Sequence, residues 1–142
     1  MDPQQFVNKL IDAWNSHDRD ALLAMYHPDF EGEDLPEGKM ADGLRDAARM
    51  VDYILNAFPD IKMTQLDLGY NDAGQVFLFW EATGHHNGRL MNIPPTGKVV
   101  YFVGSTVFTL RDGLIQKSRR LWDAAAILRQ IGLLPELPRS HY

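Results

Sequence analysis

A change of period at Pro59 constrains the fold of this chain more than any other feature. Before it, Leu44, Ala47, Ala48, Val51, Ile54, Leu55 and Phe58 recur at the spacing that lines one face of an α-helix. Pro59 ends that helix, because its ring disfavours the helical conformation in the residue before it. Beyond it, apolar and polar residues alternate, and β-branched and aromatic side chains dominate as far as Trp122. Helices followed by strands make an α+β domain rather than a βαβ repeat.

The amino-terminal third predicts two more helices. Asp2, Pro3 and Gln5 occupy the N-cap, N1 and N3 positions before Phe6, Val7, Leu10, Ile11 and Trp14, which recur at helical spacing. Asp18 reads as a second N-cap, leading through Leu22, Leu23, Met25 and Tyr26 to a stop at His27-Pro28. From Asp29 to Asp42 the chain reads as an acidic loop with at most one short strand; Asp29, Glu31, Glu33, Asp34 and Glu37 lack EF-hand spacing and read as solvated. Strands are expected at about 62–70, 76–86, 98–110 and 114–122, with Asn71-Asp72-Ala73-Gly74 and Arg111-Asp112-Gly113 as hairpin turns. Pro94-Pro95-Thr96-Gly97 keeps the 87–97 connection out of any interior strand. A last helix follows Asp123, and a chain of 142 residues without repeat or linker reads as one domain, 1–142.

Composition narrows the chemistry. The absence of cysteine removes thiol nucleophiles, disulfides and thiolate metal sites. A net charge of −5 argues against binding nucleic acid or an acidic membrane. With no leader-like amino terminus and no long apolar run, a cytoplasmic protein is expected. No metal is expected, since adjacent strand residues His85 and His86 face opposite ways and lack a third ligand.

Strand alternation then groups candidate site residues. Val76, Leu78, Trp80, Ala82, Gly84 and His86 share one face of their strand, and Val100, Phe102, Gly104, Thr106, Phe108 and Leu110 share one face of the next. Gly104 marks a bulge, a bend or room for a ligand. On the last strand, the parity of Ile115, Lys117, Arg119, Leu121 and Asp123 is expected to line a cavity edge, with Arg119 inside and Arg120 in solvent. Trp14, Tyr26, Tyr53, Trp80, Phe102 and Trp122 are either simple core or the walls of a pocket for a flat apolar ligand. Asp123, between the last strand and the last helix, is either a helix N-cap or a cavity carboxylate. Capping favours its anion and weakens it as a base, whereas burial beside Trp122 and Phe102 does the reverse. His86 is a candidate hydrogen-bond donor at the cavity mouth.

Six segments in order resemble the SnoaL-like polyketide cyclases of the nuclear transport factor 2-like superfamily. They are Trp14-Asn15-Ser16-His17-Asp18 with Tyr26-His27-Pro28-Asp29-Phe30, Ala57-Phe58-Pro59-Asp60, Trp80 to Gly88, Ile93 to Lys98, Arg111-Asp112-Gly113, and Trp122-Asp123 with Leu128-Arg129-Gln130-Ile131-Gly132. The resemblance covers nearly the whole chain. It implies a conical barrel in which a bent antiparallel sheet wraps helices around a deep apolar cavity, commonly in a homodimer or larger homo-oligomer. It also implies a cofactor-independent intramolecular aldol condensation, or a related isomerase or hydrolase reaction, on a small hydrophobic carbonyl compound such as a polyketide. Asp123 matches the family's acid/base, and His86 matches a frequent histidine. Trp14, Tyr26, Tyr53, Trp80, Phe102, Thr106 and Arg119 are the expected substrate-binding residues. A proton between two carbonyls is already acidic, so a positioned carboxylate in a dry pocket can remove it. The chain departs from the pattern at Glu33, where relatives often carry histidine, and at Lys117 and Arg119, where they carry acidic and aromatic or histidine residues. Arg119 is therefore either an enolate stabiliser or a structural partner of Asp123. Two other readings stand beside the enzyme: a binding protein for a small hydrophobic ligand, and an interaction subunit whose sheet pairs with a second copy.

Overall fold

The structure, a computed structural model, describes residues 2–142. In chain order it contains α1 Pro3–Asn15, α2 Arg19–Leu23, β1 Tyr26–Asp34, β2 Lys39–Asp42, α3 Gly43–Ala57, β3 Lys62–Tyr70, β4 Gln75–His85, β5 Val99–Arg111, β6 Leu114–Trp122 and α4 Ala124–Gln130. The strands form one curved, unclosed six-stranded sheet in the order β2-β1-β6-β5-β4-β3.

The expected caps form. Asp2 accepts from the Gln5 backbone at 2.8 Å while the Gln5 side chain accepts from the Asp2 backbone at 3.1 Å, closing a capping box on α1. Asp18 caps α2 by accepting from Ala21 at 3.0 Å. Between them, Asn15 brackets the Met63 backbone with bonds of 2.9 and 2.7 Å, and the His17 ring lies 2.8 Å from the Ile61 carbonyl oxygen. That segment pins the helical hairpin to the start of β3.

The structure corrects the reading of 24–42. α2 stops at Leu23, Tyr26 already begins a strand, and the supposed loop is the hairpin β1–β2. Phe30, Gly32 and Asp34 alternate inward along β1, so this segment has a buried face that an acidic average conceals. β1 pairs with β6 in parallel, against the expectation of a wholly antiparallel sheet. The long path between them, through α3 and four strands, leaves the direction free, whereas each hairpin fixes it.

A second correction concerns β6. Thr109 pairs with Lys117 but Leu110 pairs with Ile115, so Gln116 is an extra residue in β6. This bulge reverses the alternation, and beyond Ile115 the inward residues are Ser118, Arg120 and Trp122. The β4 and β5 faces are those read from parity: Val76, Leu78, Trp80, Ala82 and Gly84 are buried, as are Val100, Phe102, Gly104, Thr106 and Phe108. Gly104 sits opposite Trp80, and a Cβ there would lie 2.3 Å from the indole. The missing side chain makes room for Trp80 itself.

Candidate functional site

The concave face of the sheet, with α1 on β3 and α3 over β1, encloses an apolar cavity of about 80 Å³. Leu10 and Trp14 of α1, Met50, Tyr53 and Ile54 of α3, and Leu78, Trp80, Phe102, Phe108 and Trp122 of the sheet form its walls. Phe102 is central: its ring lies 5.5 Å from Phe58, 5.7 Å edge-on to Trp80 and 6.1 Å from Trp122. A second recess of about 330 Å³ adjoins the cavity and shares Asp34, Glu37, Met50, Tyr53, Ser118 and Arg120 with it. Pockets for drug-sized ligands usually measure roughly 300–1,000 Å³, so a polycyclic ligand needs both spaces.

The polar groups collect where cavity and recess meet. Asp34 accepts from Arg120 Nε at 2.9 Å and Nη2 at 2.6 Å, from Trp122 Nε1 at 3.1 Å, and from the Glu37 backbone at 3.3 Å. Its side chain is 11% exposed and that of Arg120 18%. Four donors occupy its lone pairs, so Asp34 is engaged in holding Arg120. Glu37 is differently placed. Its Oε1 accepts from the Tyr53 hydroxyl at 2.8 Å with Lys39 Nζ at 3.6 Å, while these contacts leave Oε2 unengaged. The two carboxylates are thus placed differently, one holding Arg120 and the other, at the border of cavity and recess, keeping one oxygen outside these contacts.

Three hydroxyls complete the polar lining. Burial pushes the Tyr26 phenol up to about 12, against the opposing charge of Arg120, so it stays a neutral donor at any ordinary pH. Thr106 Oγ1 accepts from Trp80 Nε1 at 3.0 Å, which directs its own proton elsewhere. Ser118 reaches the lining because of the β6 bulge. The arrangement offers one available carboxylate oxygen, a fixed guanidinium and neutral donors in an apolar enclosure. Such a set can remove a proton from an acidic carbon and stabilise the resulting oxyanion.

Of the residues expected from the sequence, Trp14, Tyr26, Tyr53, Trp80, Phe102 and Thr106 line the cavity together. Arg119 does not; the bulge turns it outward, 68% exposed, toward Glu33 at 3.6 Å, and Arg120 takes the inward place. Asp123 is exposed, lies outside the cavity lining and caps α4 by accepting from Ala126 at 3.0 Å. Its side chain follows the outward parity of Arg119 and Leu121, so it shares no cavity edge with Trp122. His86 is buried, but behind Phe58 rather than at the cavity mouth. Its Nδ1 lies 2.9 Å from Thr96 Oγ1 and Nε2 has no partner among the described residues. Burial holds its pKa below the usual imidazole value. Its neighbour His85 pairs with Asp60 at 2.6 Å on the exposed side.

Asp34, Glu37 and Arg120, read from the sequence as solvated, instead line the cavity. For Asp34 the signal was present in its parity with Phe30, and for Arg120 in its parity with Trp122. Glu37 carries no such pattern, since only the hairpin brings it over the cavity.

Comparison with known proteins agrees with this fold. The family description "SnoaL-like polyketide cyclase" matches residues 4–131. A candidate SnoaL-like polyketide cyclase from Jannaschia sp. CCS1 is 24% identical with a TM-score of 0.82, covering 94% of this chain and 93% of that one. AclR, a candidate hydroxylase from Streptomyces galilaeus, is 21% identical with a TM-score of 0.82, over 96% of this chain and 85% of its own. A protein of ketosteroid isomerase-like fold from Catenulispora acidiphila DSM 44928, in complex with trimethylamine, is 17% identical with a TM-score of 0.76, over 91% and 93%. At these identities the likeness shows the fold, and no curated protein sequence matches the chain. The family match spans all the elements that build the cavity, and the chain belongs to the SnoaL-like polyketide cyclase family.

Proposed function

We propose that this chain catalyses proton transfer at carbon in a small, flat, carbonyl-bearing hydrophobic molecule, leading to ring closure or isomerisation without an organic cofactor or metal. The observation that carries this reading is the meeting of Glu37, Arg120 and Tyr26 at the polar end of an aromatic cavity. Glu37 takes a proton from a carbon flanked by carbonyls, and the electron pair moves into an enolate facing Arg120 and Tyr26. In a cyclase the enolate carbon attacks a second carbonyl of the same molecule, forming a C–C bond and an alkoxide that recovers the proton from Glu37. In an isomerase the proton returns to a different carbon. Asp34 serves as the counter-ion that fixes Arg120, and Asp123 caps α4.

The resemblance supports the rival assignment of the acid/base to Asp123, and the cavity geometry supports Glu37. A non-catalytic ligand-binding protein is the alternative of a different class. Both are tested with a panel of flat aromatic 1,3-dicarbonyl compounds, following binding by tryptophan fluorescence and α-hydrogen exchange in D₂O by mass. Exchange accelerated by the protein supports the enzyme, and tight binding across the panel without exchange supports the binding protein.

A further inference from the structure

The connection from β4 to β5 is anchored at both ends. At its start, the Asn87 and Gly88 amides donate to the Ala57 carbonyl at 3.1 and 3.2 Å, where α3 ends. A Cβ on Gly88 would fall 2.0 Å from the Asn56 carbonyl oxygen, so the chain presses directly on that helix end. At its close, the Thr96 amide donates to the buried His86 ring at 3.3 Å. Between the anchors, Leu90 and Ile93 bridge across a tight turn whose Met91 and Asn92 have φ of 50° and 60°. That turn puts Leu90 into the cavity lining and aims the Met91 amide at Tyr53.

Tyr53 joins this strap to the carboxylate. Its hydroxyl accepts from the Met91 N–H at 2.9 Å and donates to Glu37 Oε1 at 2.8 Å. With the Met91 amide on an oxygen lone pair, the phenolic proton is directed at Glu37. Lys39, 3.6 Å over the Tyr53 ring and 3.6 Å from Glu37 Oε1, holds the pair from the recess side. Burial, with Glu37 adding to it, pushes the Tyr53 phenol up to about 12, so the donor persists at any ordinary pH.

We infer that Tyr53 is a positioning residue that sets the Glu37 carboxylate through the strap, so that the strap seated against the cavity at Leu90 and the base aimed into it form one unit. The inference rests on Glu37 as the base. A ligand that presses on Leu90 therefore acts on the orientation of the proton-accepting oxygen, although Tyr53 itself takes no proton.

The test uses the whole chain and one exchange-active compound of the panel. Tyr53→Phe keeps the ring under Lys39 and removes the hydroxyl. It is expected to lower kcat for α-deuteration about 10-fold with KM changed less than about 3-fold, because orientation is lost while the walls remain. It is also expected to speed hydrogen exchange of the Met91 amide about 10-fold relative to Leu90. An amide-to-ester change at Met91 removes the other donor while keeping the side chain and the φ of 50°, and is expected to lower kcat similarly, which serves if Tyr53→Phe fails to fold. Wild-type kcat and Met91 protection in Tyr53→Phe, beside an inactive Glu37→Gln, overturn the positioning role alone. Full activity in Glu37→Gln overturns the assignment of the base and this inference with it.

Discussion

Replacing Arg120 by methionine should destabilise the chain far more than the same change at Arg119. Arg120 holds the buried Asp34 with two hydrogen bonds, and truncation leaves that carboxylate with only Trp122 Nε1 and the Glu37 amide. Breaking a buried ion pair by removing one partner costs roughly 3–5 kcal/mol. The residual exposure of both groups and the surviving donors place this case at the lower end, about 3 kcal/mol, or two orders of magnitude in the folding equilibrium. Arg119 meets Glu33 at 3.6 Å in solvent, an arrangement worth roughly 0–1 kcal/mol. Urea unfolding, followed by tryptophan fluorescence and circular dichroism, measures both variants, and heating should separate their midpoints by several degrees. A further change of Asp34 to leucine in the Arg120→Met background should recover part of the loss, since an apolar pair leaves no unpaired charge. Equal costs for the two arginines, or a larger one for Arg119, would refute the bulged register of β6 and the site built on it.

Other outcomes follow from the same contacts. Gly104→Ala sets a methyl group 2.3 Å from the Trp80 ring and should cost about 1–3 kcal/mol by overpacking while breaking the Trp80–Thr106 bond, seen as altered tryptophan emission. His86 has a folded pKa below its unfolded value, so the unfolded chain binds the extra proton and stability falls as pH drops below about 6.5. One such group contributes at most about 1.4 kcal/mol per pH unit, and His86→Phe should flatten the wild-type slope measured by urea unfolding between pH 7 and 5. The outer sheet face exposes Phe77, Phe79, Tyr101 and Leu121 and is expected to pair with a second copy. Sedimentation velocity should then show a dimer that Phe79→Glu dissociates, and a monomeric wild type across the micromolar range would contradict the pairing.

How much of this was legible in the sequence depends on whether a local pattern carried it. The caps at Asp2 and Asp18, α3, and the four long strands follow from spacing and turn chemistry within a few residues. The inward sets of β4 and β5 follow from uninterrupted alternation, which is why Trp80, Phe102 and Thr106 were found. Alternation failed on β6 because Gln116 inserts one residue, and nothing in the local pattern marks a bulge there. Trp122 carried the only correction available: an indole facing inward required Arg120 and Ser118 on its side and Asp123 on the other. β1 was hidden because its acidic residues are mostly outward, leaving Phe30, Gly32 and Asp34 as a thin inward signal. Glu37 and the strap at Met91 were out of reach, since each gains its place from contacts between distant segments. The resemblance to the family filled in the fold but directed attention to Asp123, where the geometry shows a cap.

The most direct measurement compares the initial rate of α-hydrogen exchange in D₂O for wild type, Glu37→Gln and Asp123→Asn on the same 1,3-dicarbonyl panel, each at matched folded concentration. Asparagine caps a helix as well as aspartate, and glutamine keeps the size of Glu37, so neither change should confuse folding with chemistry. Glu37→Gln is expected to lose the acceleration by at least about 100-fold, and Asp123→Asn to remain within about 2-fold of wild type. Exchange retained in Glu37→Gln and lost in Asp123→Asn would return the chemistry to the helix cap and contradict the site described above.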